Sequence, residues 1–416
     1  MGFRWTQKNI SPIAVDFGSD CLKLLQVQLD DPPQIIAAAA AEIPDSARRD
    51  ADAHRQFVTG ALRDLLRDGG FRGKRVVASI SAAHTYIQHV RLARSEGAVL
   101  QEQIDTELRG RLPLDPSALV IRHVNVGDVF ADGASKQEVI CLAASREWVM
   151  RCVGTVRAAG FEVVGMHCEP MAILESFSHL FRRSTDGARS TFFIDIGAAT
   201  TKALIAHGRD LVFAKAIHVG GDHFVSQLAR QLNVSISEAK QRRAMEIGGV
   251  PHRPVQRGVT ATTDQGLPMI DSVAAEKGGR RFPTPQPVPA TAAAIAAPAV
   301  ATEPQHAATT GAPSPVETPA EMLDALIDDL QLCVGYHASM FQDRPLDKIV
   351  FLGGESRNTR MCQRIAQALR LPAQLGDPMA RLTRPLNAGA VTAVDLTQGQ
   401  PGWAVPVGLC LLPTNL

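Results

Sequence analysis

Three short stretches of this sequence set glycine turns beside acids, hydroxyls and cations in spacings that suit phosphate chemistry. The first holds Asp16, Gly18, Ser19 and Lys23. A glycine turn between two strands lets backbone N–H groups converge on a phosphate. Ser19 adds a hydroxyl donor, Lys23 a point charge for a β- or γ-phosphate, and Asp16 a hard oxygen for a water-bridged magnesium ion. The second stretch, with Asp195, Gly197, Thr200 and Thr201, repeats the pattern. Taken singly, either could be an ordinary hairpin with a solvent-facing Asp. Taken together, two such turns could clamp a triphosphate from both sides, Asp16 and Asp195 holding its metal. The third stretch, Gly353, Gly354, Glu355 and Ser356, would let the backbone approach a flat base or ribose; a plain strand-to-helix turn reads the same.

These turns need strands to carry them. Ile13, Val15 and Phe17 alternate with smaller or polar residues, and a strand over Leu22–Gln28 follows the turn at Gly18-Ser19-Asp20. Thr191–Asp195 and Lys202–His207 form the same strand–turn–strand unit, an internal repeat that could place two hairpins across a cleft. Between them, strands at Val76–Ile80, Thr85–Leu92 and Lys136–Ala144 alternate with helices at His54–Asp68, Ala98–Arg109 and Arg146–Ala159. That alternation predicts an α/β protein with helix-covered sheets. Later come helices at Asp222–Leu232 and Ser235–Ile247, a helix opened by Thr318-Pro319, a strand at Lys348–Leu352 and a helix at Thr359–Leu369. Val405–Leu411 closes the chain as an apolar strand or short helix.

Composition narrows the function classes. The 43 basic and 42 acidic residues nearly cancel, which argues against general binding to nucleic acid. Seven scattered cysteines with no CxxC spacing fit reduced thiols rather than a disulfide frame or zinc site. His84, His89, His123 and His167 show no metal spacing, and Cys168 has no evident histidine base. No signal peptide opens the sequence and no run of about 18 apolar residues crosses it, so a soluble, cytoplasmic protein is expected. From Pro251 to Ala320 the only aromatic residue is Phe282, and nine of the 26 prolines lie between Pro283 and Pro319. Such a stretch buries too little apolar surface to offset ordering entropy, so it is expected to be a disordered insertion.

The order of these motifs resembles the actin, Hsp70 and sugar-kinase superfold, and within it the type IV pilus assembly family PilM, a relative of FtsA. The likeness is carried by AVDFGSDCLKLLQV, RGRLPLDPSALVIRH, AASREWVMRCVGTVRAAGFEVVGMHCEPMAI, IVFLGGESRN and VPVGLCLL, in that order. It implies an α/β, actin-like (ribonuclease H-like duplicated) two-lobed fold with a small inserted subdomain and a long disordered insertion. The parts expected are a first-lobe core over 1–78, an inserted subdomain over 79–165 and a connector over 166–190. The second lobe would run over 191–250 and 319–385, interrupted by the insertion at 251–318, and 386–416 would return to the first lobe. The resemblance further implies ATP and Mg2+ as cofactors, with Glu169 near the metal or attacking water as the catalytic residue. It places Gly220 and Gly221 in the loop before a cleft helix, and Gly353, Gly354 and Ser356 at the adenosine. Arg243 would stand for the family's lysine at the ribose, whereas Lys240 stands where the family has an acid. Glu169 read alone is equally a helix-start carboxylate beside Pro170.

Three functions follow from that resemblance. One is an ATP-binding scaffold whose partner is the cytoplasmic N-terminal tail of a PilN-like inner-membrane protein, held in a groove of the first lobe. That places it at the inner membrane only through partners, with no nucleic acid and with self-association open. The second is a scaffold, of a pilus or a type II secretion platform, with weak or lost ATPase activity. The third is a metabolic kinase of the same superfold, for which no sugar-activating base is evident. Deleting Arg257–Thr310 should leave the melting temperature nearly unchanged by calorimetry; a large fall would mean that the insertion packs on the body.

Overall fold

The computed structural model describes residues 9–48, 50–131, 133–246, 320–383 and 394–414. In chain order the first part holds β1 (Ile13–Phe17), β2 (Cys21–Gln28), β3 (Gln34–Glu42), α1 (Asp45–Arg48), α2 (Ala51–Asp68) and β4 (Arg75–Ile80). Then come β5 (Thr85–Leu92), α3 (Gly97–Leu108), β6 (Leu119–Ala131), β7 (Ala134–Ser145), α4 (Arg146–Ala158), β8 (Glu162–Cys168) and α5 (Glu169–Ser176). The second part holds β9 (Ser190–Ile196), β10 (Thr201–His207), β11 (Asp210–Ile217), α6 (Gly221–Leu232) and α7 (Ile236–Glu246). It continues with α8 (Ala320–Met340), β12 (Lys348–Leu352), α9 (Thr359–Leu369), β13 (Ala373–Leu375) and α10 (Ala404–Leu411).

The two larger sheets have one topology. The first runs β3-β2-β1-β4-β8 and the second β11-β10-β9-β12-β13. In each, an antiparallel three-strand meander leads to two parallel strands on the other side of the central strand, β1 or β9. The fold is therefore duplicated, and the repeated Asp-x-Gly turns fall at equivalent places. Each follows the carboxyl end of its central strand, the end at which open α/β sheets bind ligands.

Helices cover the sheets where apolar periodicity demands it. Asp50 caps α2 by accepting from the Ala53 N–H at 2.7 Å, and Val58, Leu62 and Leu66 form the buried stripe. Asn358 caps α9 likewise, above Met361, Cys362, Ile365, Ala366 and Leu369. The inner faces of both sheets meet in one shared core, with Ala172 and Ile173 of α5 and Val407 and Leu409 of α10 between them. Gly408 is needed there: a Cβ would stand 1.7 Å from the Ala172 carbonyl oxygen. This close helix pair sets the distance between the lobes.

Several elements differ from expectation. The third sheet, β5-β7-β6, is confined to 85–145. Helix α4, expected within the 79–165 subdomain, joins the first sheet layer, as does β8, a strand absent from the expected elements, which pairs in parallel with β4. Periodicity locates the helix but does not say which sheet it covers. Strand β3 escapes the pattern because its run of alanines favours helix by propensity; burial of Ala37, Ala38 and Ala39 beside β2 overrides that. Strand β11 was also absent from the expected elements; of the two readings of Val405–Leu411, strand or short helix, the helix is the one formed. The stretch 251–318 lies outside the described residues.

Helix α8 is tied to the second sheet by a polar contact in an apolar setting. The Arg344 guanidinium donates to Nδ1 of His207 at 2.8 Å, so the proton of that neutral imidazole sits on Nε2. Nε2 then donates to Nε2 of His337 at 2.9 Å. Burial, then Arg344 and His337, push His207 down to about 4. Between that value and the ordinary one the unfolded chain binds more protons, so stability falls as pH drops from 7 toward 4. Thermal denaturation should show this acid loss, up to about 3 kcal/mol, and His207→Gln should flatten it. An unchanged acid limb in that variant would assign the loss to other groups.

Candidate functional site

Buried acids and ammonium groups meet where the two central strands end. Asp16 and Asp195 are each 5 % exposed, Glu169 4 % and Lys202 7 %, so their charges depend on one another rather than on water. A cavity of about 90 Å³ between the lobes is lined by Asp16, Gly18, Ser19 and Lys23 from one hairpin. Asp195, Gly197, Thr200 and Lys202 line it from the other, and Glu169, Gly353, Gly354 and Glu355 also form part of the wall.

The first hairpin is held by its neighbour strand. The Phe17 N–H donates to Ser79 Oγ at 3.0 Å, and that hydroxyl donates to Asp16 Oδ1 at 2.9 Å. Burial pushes the Asp16 carboxyl up to about 6, against Lys23 and the Ser79 bond. Lys23 stands opposite Asp16 in the β1–β2 ladder and reaches across to donate to the Gly402 carbonyl at 2.8 Å. Burial works to lower its pKa, but Cys21, Asp16, Asp20 and Asp195 outweigh it and hold the ammonium charged. Gly18 is required by space, since a Cβ would lie 2.6 Å from the Cys21 carbonyl oxygen.

In the second hairpin the Gly197 N–H donates to the Thr200 carbonyl at 3.0 Å, closing the turn. The first amides of α6, Gly221 and Asp222, donate to the Gly197 and Ala198 carbonyls at 3.0 and 2.8 Å. Lys202 lies opposite Asp195 in the β9–β10 ladder. Its Nζ is 2.9 Å from Asp195 Oδ1 and 3.4 Å from Glu169 Oε2. Burial alone would discharge it, but those two acids hold it above the ordinary lysine range. Glu169 Oε2 also accepts from the Ala82 N–H at 2.9 Å.

Five expected residues lie outside the cavity wall. Thr201 gives its hydroxyl to the Val219 carbonyl at 2.7 Å, and Ser356 gives its own to Gly353 at 2.7 Å. Gly220 and Gly221 start α6, where a Cβ on Gly221 would strike the Glu355 carboxylate. Arg243, 3 % exposed, packs on the Phe224 ring and donates twice to Glu355, so acid and guanidinium fill the space beside the Gly353–Gly354 turn. Sequence reasoning missed Ser79, Lys202 and Glu355. For Lys202 a signal existed: it follows Asp195 by the interval at which Lys23 follows Asp16. For Ser79, packed 63 positions from Asp16, none did.

A divalent ion was expected between Asp16 and Asp195. Asp195 and Glu169 already share an ammonium, which leaves Asp16 as the one acid of the three buried ones not in contact with Lys202. Among the described residues no group of three His, Cys, Asp or Glu is placed to hold a metal. Asp195 is thus paired with Lys202 and is not open to a directly bound ion.

Beyond the small cavity lies a chamber of about 800 Å³ that shares Gly18, Ser19 and Ser81 with it. Two ion pairs between lobes stand at its side, Arg48 of α1 with Asp222 of α6 and Lys240 of α7 with Asp45 of α1. The departure Lys240 thus pairs with an acid of the opposite lobe.

Comparison with known proteins agrees with this architecture. The sequence matches the family of the type IV pilus assembly protein PilM over residues 14–251 and that of the cell division protein FtsA over 192–394. A solved PilM-PilN type IV pilus biogenesis complex resembles it in fold, with TM-score 0.67 and 16 % identity over 97 % of this chain and 98 % of that one. The ethanolamine utilization protein EutJ of Carboxydothermus hydrogenoformans (TM-score 0.46, 13 % identity, 96 % and 89 % covered) is too distant to argue from. So is MreB 5 of Spiroplasma citri bound to AMPPNP (0.41, 11 %, 96 % and 94 %). No curated protein matches the sequence. No described helix is long and apolar enough to cross a membrane. With its duplicated actin-like fold and a family match over more than half its length, the chain belongs to the type IV pilus assembly protein PilM family.

Proposed function

We propose that this protein is a scaffold of type IV pilus assembly that binds a nucleotide between its two Asp-Gly hairpins and reports its presence to a membrane partner. The observation that carries the reading is the pair of opposed turns at equivalent strand ends, with Lys23 and Lys202 lining one cavity. Converging turn amides and buried ammonium groups are what an anionic phosphate chain requires. The cavity as it stands, about 90 Å³, is below the roughly 300 Å³ of ordinary ligand pockets. The adjoining chamber of about 800 Å³ would hold the rest of the nucleotide, and the Arg48–Asp222 and Lys240–Asp45 pairs at its side would sense its arrival. Differential affinity for the open and closed arrangements is what would couple nucleotide to a partner.

The partner proposed is the cytoplasmic N-terminal tail of a PilN-like inner-membrane protein, by likeness to the PilM-PilN complex. The chain would then sit on the cytoplasmic side, at the membrane only through that tail. Binding without rapid turnover is favoured by Glu169. Its carboxylate is engaged by Lys202 and the Ala82 amide, so it is poorly placed to draw a proton from water.

Calorimetric titration with ATP tests the site: the native chain should bind, and Lys23→Met should bind at least about tenfold more weakly. A tail peptide should change affinity when ATP is added. Peptide binding indifferent to ATP would favour a nucleotide-independent scaffold, and absence of ATP binding would remove the nucleotide reading. Asp16 offers a second check. Its carboxyl is raised to about 6, so the folded state binds more protons than the unfolded between its ordinary value and 6. Stability is lost as pH rises through that window, and the full penalty stands at neutral pH. Asp16→Asn should therefore melt higher at pH 7.5, by about 1 to 3 kcal/mol; a lower melting point would show that the acid serves the fold.

A further inference from the structure

The duplicated hairpins carry a duplicated lysine. Lys23 faces Asp16 and Lys202 faces Asp195 at the same register of the same strand pair, one in each lobe. The two have taken different tasks. Lys23 spends a hydrogen bond on the Gly402 carbonyl, across the cleft floor. Lys202 lies between two acids from different lobes, 2.9 Å from Asp195 and 3.4 Å from Glu169, with all three groups almost wholly out of water.

Two buried carboxylates cannot face one another ionised without a cation between them. In a phosphate cleft that cation is commonly divalent. Here the second hairpin supplies a monovalent one on its own backbone. A metal ion arriving at Asp195 would have to displace an ammonium already paired with two acids, or stand within a few ångströms of it against their mutual repulsion.

We propose that the Lys202 ammonium takes the place of the divalent cation in this cleft, so that the site accepts nucleotide as the free anion and not as its metal complex. This rests on reading the cleft as a nucleotide site. Lys202 offsets one of the two charges of Asp195 and Glu169 from within, and with Lys23 it sets one ammonium per lobe beside the phosphate chain. The consequence is a nucleotide affinity that does not follow magnesium concentration.

The test titrates ATP into the full chain in EDTA and in excess magnesium, and manganese alone into the same chain followed by its paramagnetic resonance signal. The native affinity for ATP should change by less than about threefold between the two conditions, and manganese should find no specific site. Lys202→Gln should bind ATP at least about tenfold more weakly in EDTA, regain affinity with magnesium, and hold one manganese ion. If the single variant fails to fold, Lys202→Gln with Glu169→Gln removes one charge of each sign and serves instead. Native binding that requires magnesium overturns the proposal and leaves the nucleotide reading standing. So does manganese bound tightly by the native chain, or a variant as indifferent to magnesium as the native protein. No ATP bound in either condition defeats the nucleotide reading, and this proposal falls with it.

Discussion

Three carboxylates buried at one point would repel one another and unfold their surroundings unless cations were buried with them. Asp16, Glu169 and Asp195 come together because two equivalent strands end at the same gap, with a helix starting beside them. Lys23 and Lys202 are the groups that make this arrangement tolerable. Each is anchored in the strand opposite an acid, so charge balance is built into hairpin register rather than left to solvent. Much else in the structure keeps that gap narrow. The close contact of Gly408 with α5 fixes the spacing of the lobes from below. The ion pairs of Arg48 and Lys240 span them from the side.

The gap is also where the fold's economy shows. The same five-strand topology is used twice, so a single local solution, a strand ending in Asp and a tight glycine turn, appears from both directions. The copies have diverged in what their lysines touch and in what supports the turn. Ser79 braces the first from a parallel strand, whereas the amino end of α6 braces the second through backbone bonds. A site assembled from two braced turns and one helix start can respond to lobe rotation, because no single element holds all of it.

Much of this was legible in the sequence. Alternation of strands and helices predicted the α/β class, and the repeated Asp-x-Gly unit predicted a duplicated fold with opposed turns. What failed did so for identifiable reasons. The alanine-rich β3 has helix propensity and is a strand only through packing. Helix α4 has a readable pattern but gives no sign of which sheet it covers, and strand β8 beside it was not expected. Around the site, glycines and acids were found because their types are restrictive. The hydroxyls of Thr201 and Ser356 were given to a ligand in the reading, yet each is within reach of a backbone carbonyl and bonds there. Arg243 was read at the ribose, whereas tertiary structure brings it to Glu355 and the opposite charges pair with each other.

The account stands on both turns acting on one anion. Hydrogen exchange of the full chain, with and without ATP, reads this directly at the amides of 17–23 and 197–202. Slowed exchange in both segments at the same nucleotide concentration is the predicted result. Protection of one segment alone, or of neither while ATP is bound elsewhere, would contradict a shared clamp.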